Sequence, residues 1–131
     1  MRLGIVAAII VVLAAGCAPQ GGVVNVTLTE MKIALDQTSV PAGVVTFNVK
    51  NSGTLEHELV VLHTGAAEDK IPADVEEAGK VDETGNVGET GEVPVGTSKS
   101  FTVTLPAGSY VLMCNEVGHY AAGMHLAFTV K

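Results

Sequence analysis

The sequence has no tryptophan, and only two tyrosines and three phenylalanines among its 131 residues. A core built from it must be aliphatic, and Val, Ile, Leu and Ala supply the material. Cations are also scarce, with seven Lys and Arg against fourteen Asp and Glu for a formal charge of −7. That balance disfavours nucleic acid and anionic lipid headgroups as partners, because both repel an acidic protein. Cysteine is limited to Cys17 and Cys114, too few for a disulfide-stapled scaffold. The length suits one domain and not two.

The N-terminus carries one cation, Arg2, and then an apolar run from Leu3 to Ala15. An unbroken apolar run of this kind suits the core of a signal peptide and falls short of the roughly 20 residues of a membrane span. It ends in Ala14-Ala15-Gly16 ahead of Cys17, which resembles a bacterial lipoprotein signal. Ala14 departs from the Leu usual at that position. The expected organisation is a signal peptide over 1–16, cleaved before Cys17, a flexible tether over 17–22 and one domain over 23–131. A lipid on Cys17 would hold the domain to the extracytoplasmic, for instance periplasmic, face of a membrane. Cys114 would then be a lone thiol in an oxidising compartment, where cysteines are normally paired.

From Val23 onward the pattern is that of strands. "VVNVTLTE" alternates through Val24, Val26 and Leu28, and "VVTFNVK" through Val45, Phe47 and Val49. "SFTVTL" puts Phe101, Val103 and Leu105 on one face, while "ELVVLH", "SYVLMC" and "LAFTV" complete a set of at least six. Pro41-Ala42-Gly43 and Pro106-Ala107-Gly108 mark the starts of two of them. Many short strands rich in Val, Thr and Phe predict an all-β sandwich or small barrel.

One stretch breaks the pattern. Between Thr64 and Ser98 stand Glu68, Asp69, Asp74, Glu76, Glu77, Asp82, Glu83, Glu89 and Glu92, against Lys70 and Lys80 alone. Ile71, Val75 and Ala78 could line one side of a short helix there, with Pro72 near its start. The remainder reads as a solvated acidic excursion, and the alternative is an electrostatic docking arm for a basic partner.

Chemistry gathers in "CNEVGHYAAGM". His119 lies five positions after Cys114, and Met124 five positions after His119. Thiolate, imidazole and thioether form a soft donor set that favours copper over magnesium, calcium or manganese. An electron-transfer copper site takes Cys and two His with a weak axial Met, so one more His must come from elsewhere. His57 follows a strand end and an Asn-Ser-Gly turn, where a loop can bring it under Cys114. His63, six residues on, falls about 20 Å away at strand rise. His125 directly follows Met124 and points to the opposite side.

These segments resemble the cupredoxins, the blue copper proteins. "PAGVVTFNVKNSGTLEHELVVL" is similar to the segment carrying the first His ligand, and "LPAGSYVLMCNEVGHYAAGMHLAFTVK" to the C-terminal Cys-His-Met hairpin. The resemblance covers roughly 23–64 and 97–131. The ligand spacing is similar to azurin, rusticyanin and sulfocyanin types, and the lipoprotein start and acidic insertion look most like sulfocyanin-like exported lipoproteins. The resemblance implies a Greek-key β-sandwich of cupredoxin type, with the acidic insertion at 64–98. It implies one type 1 copper ion, with His57, Cys114 and His119 as equatorial ligands and Met124 axial. It implies His119 as the electron port, with Tyr120, Ala121, Ala122 and Gly123 in a docking surface. Glu58 stands where many relatives have an Asn that ties the ligand loops, which leaves Asn51 and Asn115 to brace the Cys114 loop.

The expected function is single-electron shuttling outside the cytoplasm between redox proteins such as cytochromes or a terminal oxidase or reductase. The alternative is an exported copper carrier or store, although no Met- or His-rich tract is present. An enzyme is not expected: no His-x-His pair occurs to build further copper centres.

Overall fold

Alternation drives the first strand, β1 (Gly22–Thr29), in which Val24, Val26 and Leu28 are buried while Val23, Asn25 and Thr27 face water. The computed structural model describes residues 20–131. The expected signal peptide and the lipidation site Cys17 lie outside the described residues. Eight further strands follow: β2 (Lys32–Leu35), β3 (Ser39–Val40), β4 (Gly43–Asn51), β5 (Val60–His63), β6 (Asn86–Glu89), β7 (Ser98–Leu105), β8 (Gly108–Met113) and β9 (His125–Val130). They form two sheets, ordered β2-β1-β4-β7 and β3-β9-β8-β5-β6. Both sheets are mixed, because β1 pairs β4 in parallel and β3 pairs β9 in parallel. The chain crosses between sheets at β2–β3, β3–β4, β4–β5, β6–β7 and β7–β8, giving the expected Greek-key sandwich.

Between the sheets lies one aliphatic core with few aromatics. Phe47 stacks on Phe101 at 5.2 Å and meets Phe128 edge-on at 5.8 Å. Val45, Val49, Leu59, Leu105, Tyr110 and Leu112 fill the space around them. Burying each such side chain contributes about 1.5–3 kcal/mol. Cys114 and Met124 belong to this same core at its loop end.

The acidic stretch corrects two expectations. No helix forms among the described residues, and Val75, expected on its buried side, is 98% exposed. Asp74 Oδ1 instead accepts the amides of Glu76 and Glu77, and Gly79 adopts a φ of +86°, so the chain turns back and Ala73 bridges Val81. Nor is the stretch a solvated excursion. It supplies β6 to the edge of the second sheet, and it buries Ile71 and Val81 against Val60, Leu62, Val111, Met113 and Tyr120. It covers the outer face of β5 and β8. That is why Val60, Val61 and Leu62, and Tyr110 through Met113, are buried without alternation.

Candidate metal centre

Strands β8 and β9 set two of the side chains. Met113 pairs with His125 at the end of the ladder, and the Cys114 amide donates to Met124 O at 3.0 Å, closing the hairpin loop. Inside it, the His119 amide donates to Glu116 O at 2.9 Å and the Met124 amide to His119 O at 3.1 Å. Gly118 and Gly123 take φ values of +82° and +100°, which side-chain-bearing residues rarely adopt, so the loop turns tightly at both. His57 comes from the connection between β4 and β5, held by a bridge to Val93 whose amide donates to His57 O at 2.7 Å.

The three donors converge. His57 Nδ1 and His119 Nδ1 are 3.2 Å apart, and Cys114 Sγ lies 3.9 Å from the first and 3.4 Å from the second. A metal with bonds of about 2.0 Å to nitrogen and 2.3 Å to sulfur in a trigonal plane needs separations of about 3.5 and 3.7 Å. The observed spacings bracket those values, so the donor set fits one soft ion. His57, Cys114 and Met124 are fully buried and His119 is half-buried. Met124 is joined to both Cys114 and His119 through its backbone and packs in the same core.

Two buried asparagines clamp the loops. Asn51 Nδ2 donates to Leu55 O and Val93 O, both at 2.8 Å, and its Oδ1 accepts the Gly53 amide. Asn115 accepts the Val81 amide at 2.9 Å and donates to Val81 O at 2.9 Å and to Glu83 Oε1 at 2.8 Å. Asn51 therefore braces the approach to His57, and Asn115 braces the Cys114 loop against the acidic stretch. The Glu58 amide donates to Cys114 Sγ at 3.4 Å, so position 58 serves the site through its backbone.

Burial governs the charges. It pushes the Cys114 thiol up to about 11, against the opposing Glu58 N–H. Burial, followed by the nearby His57, holds His119 below the usual histidine range. Burial and then Glu116, Glu83 and Glu89 raise the Glu58 carboxyl to about 7. Because burial holds the Cys114 thiol protonated, a cation that binds its sulfur displaces the thiol proton.

Not every expected position falls at the site surface. Tyr120 is turned inward, 8% exposed, with its hydroxyl donating to Glu68 O at 2.7 Å and accepting the Ile71 amide at 2.9 Å. It anchors the acidic stretch and cannot offer its ring to a partner. Ala121, Ala122 and Gly123 are exposed. His63 stacks on Tyr110 at 4.6 Å and His125 leans on Tyr120 at 4.7 Å, so neither joins the cluster. One participant escaped the sequence reading. Glu30, in the turn between β1 and β2, places Oε1 3.3 Å from His57 Nε2. The amides of Leu55 and Thr54 chiefly pull its carboxyl down to about 2. Nothing in the sequence near Glu30 signals this role, because strand pairing alone brings it there.

Two sheets with a Cys-His-Met hairpin and a second His beneath it define the cupredoxin class, the type 1 blue copper electron-transfer proteins. Residues 6–131 match the model of the sulfocyanin (SoxE) domain, and the chain belongs to that family. Among solved structures, it is similar to dithionite-reduced auracyanin from Roseiflexus castenholzii, at 27% identity and a TM-score of 0.64, over 87% of this chain and 99% of that one. Rusticyanin from Thiobacillus ferrooxidans shares 21% identity at a TM-score of 0.63, over 86% and 79%. An azurin from Methylomonas sp. strain J shares 20% at 0.59, over 83% and 95%. The last two likenesses bear on the fold. No curated protein matches the chain.

Proposed function

We propose that His57, Cys114 and His119 hold one copper ion with Met124 as the axial donor, and that the protein passes single electrons between redox partners outside the cytoplasm. The observation that carries the reading is the convergence of two imidazole Nδ1 atoms on a buried thiol, all within 4.8 Å of one another. When bound, copper supplies one-electron chemistry, cycling between Cu(I) and Cu(II). The protein's part is to keep the donors still. Three of them sit on one short loop braced by two strands, and Asn51, Asn115 and the Glu58 amide hold that loop and its neighbour in place. Rigid donors keep the cost of rearrangement low as charge comes and goes. Full burial of Cys114, His57 and Met124 suits retention of the ion rather than its exchange, so a carrier is the weaker reading.

Electrons would enter and leave at His119, the half-exposed ligand, across the small exposed surface of Ala121, Ala122 and Gly123. Glu56, Glu92 and Glu116 cluster within 4.8 Å beside these loops, and such a field favours a basic face on the partner, a cytochrome or a terminal oxidase or reductase. A lipid on Cys17 would tether the domain at the extracytoplasmic membrane face, in keeping with electron carriage rather than enzymatic turnover.

The test is a Cu(II) titration read by visible absorption and voltammetry. Wild type should develop an intense band and a reversible one-electron wave. Cys114→Ser should lose the band, since the thiolate supplies the charge transfer; a strongly coloured variant refutes the assignment. Met124→Leu, nearly equal in volume, should keep the ion and raise the potential. Complete loss of copper would show Met124 to be an indispensable ligand.

A further inference from the structure

His57 has a second ring nitrogen, and its single partner among the described residues is a carboxylate. Nε2 lies 3.3 Å from Glu30 Oε1, with the imidazole side chain 0% exposed and the carboxylate 38%. The same oxygen accepts the amides of Thr54 at 2.6 Å and Leu55 at 2.8 Å. Gly53 makes the approach possible, because a Cβ there would collide with the Glu30 carboxylate. Met31, next to Glu30, takes a φ of 53°, so the β1–β2 turn carries an unusual backbone beside this side chain.

We propose that Glu30 is a positioning residue of the metal centre, accepting the His57 Nε2–H so that Nδ1 faces the ligand pocket and lending its negative charge to the oxidised ion. The inference rests on the copper reading above. A neutral imidazole carries its proton on one nitrogen, and an acceptor on that side leaves the other as a bare donor. His57 shows this arrangement: Nε2 meets only a carboxylate, while Nδ1 faces Cys114 and His119. A carboxylate behind a ligating His raises its basicity and fixes its ring, and such partners commonly govern metal affinity by 10–100-fold. One oxygen taking three N–H groups also couples the ring to the 53–55 backbone, so loop position and ring orientation are set together. The charge acts through a single imidazole and favours Cu(II) over Cu(I).

The experiment compares copper-loaded wild type, Glu30→Gln and Glu30→Ala at pH 7 by absorption and voltammetry. All three should be intensely coloured. Glu30→Ala should weaken Cu(II) binding about tenfold relative to Cu(I), which for one electron is a rise of about 59 mV. Glu30→Gln retains an oxygen for the Thr54 and Leu55 amides but has no charge, and its potential should rise by less. In the Cu(I) form, the His57 Nε2–H seen by NMR should exchange with solvent at least about tenfold faster in Glu30→Ala than in wild type. Unchanged potentials and unchanged Nε2–H exchange in both variants, with a coloured wild type, overturn the role of Glu30. A wild type that forms no coloured copper site overturns both this inference and the reading beneath it.

Discussion

Removing the Asn115 side chain tests whether the acidic stretch is a structural wall of the metal centre. Asn115 is 2% exposed and makes three hydrogen bonds, two to the Val81 backbone and one to Glu83. Asn115→Ala leaves the Val81 N–H and C=O unpaired at a site where Val81 is 7% exposed. Each orphaned buried group costs about 1–3 kcal/mol, and water entering the vacated space recovers part of that, so a loss of about 3 kcal/mol is expected. For a domain of this size that corresponds to a fall in Tm of about 12 °C. Urea unfolding of the copper-free protein, followed by circular dichroism, reads it directly. Asn115→Asp supplies an isosteric control. It keeps an acceptor for the Val81 amide but turns a carboxylate toward Val81 O and Glu83. It should be at least as destabilised at pH 7. Its own acid would be raised in the fold, so the loss should shrink as the pH falls and that acid is protonated. A loss below about 1 kcal/mol for Asn115→Ala would refute the clamp and return the stretch to a dispensable surface loop.

Two other outcomes follow from the same geometry. Burial keeps the Cys114 thiol protonated up to about 11, and burial with the nearby His57 holds His119 below the usual histidine range, in its neutral form. Cu(II) uptake at pH 7–9 should therefore release about one proton, and apparent affinity should rise about tenfold per pH unit; competition titrations showing no slope would contradict the buried-thiol picture. Tyr120→Phe removes the hydroxyl joining Glu68 O and the Ile71 amide. It should cost about 1–2 kcal/mol and speed hydrogen exchange at Ile71, with the visible copper band retained.

The strands that alternate were plain to read, because one face of each meets the core and the other meets water. Thus β1, β4, β7 and β9 appear in the sequence close to their observed bounds. The ligand set was legible for a different reason. Three of its members lie on one loop whose spacing is local, and a thiol expected to be exported and unpaired demanded a use. What the sequence hid is whatever depends on one element lying against another. Glu30 sits 27 positions before His57, and only the β1–β2 turn reaching the 53–55 backbone brings them together. Tyr120 looked like part of an apolar patch, but its hydroxyl is taken by the acidic stretch.

The same stretch shows how composition can mislead where pattern does not. Nine carboxylates and a run of glycines suggested a solvated loop, and most of those charges are indeed at the surface. Yet the unbroken apolar runs of β5 and β8 already required something to cover their second face. Ile71 and Val81 are that cover, carried inside an otherwise charged segment. One layer thus does two things. It dries the outside of the strands leading to Cys114, and it sets fixed charge beside the loops proposed to face a partner. Deleting it to remove the charge would unseat Asn51, Asn115 and Tyr120 together. Its electrostatic role can only be isolated by neutralising exposed carboxylates such as Asp69, Glu76 and Glu77 one by one while leaving Ile71, Val81 and Val93 in place.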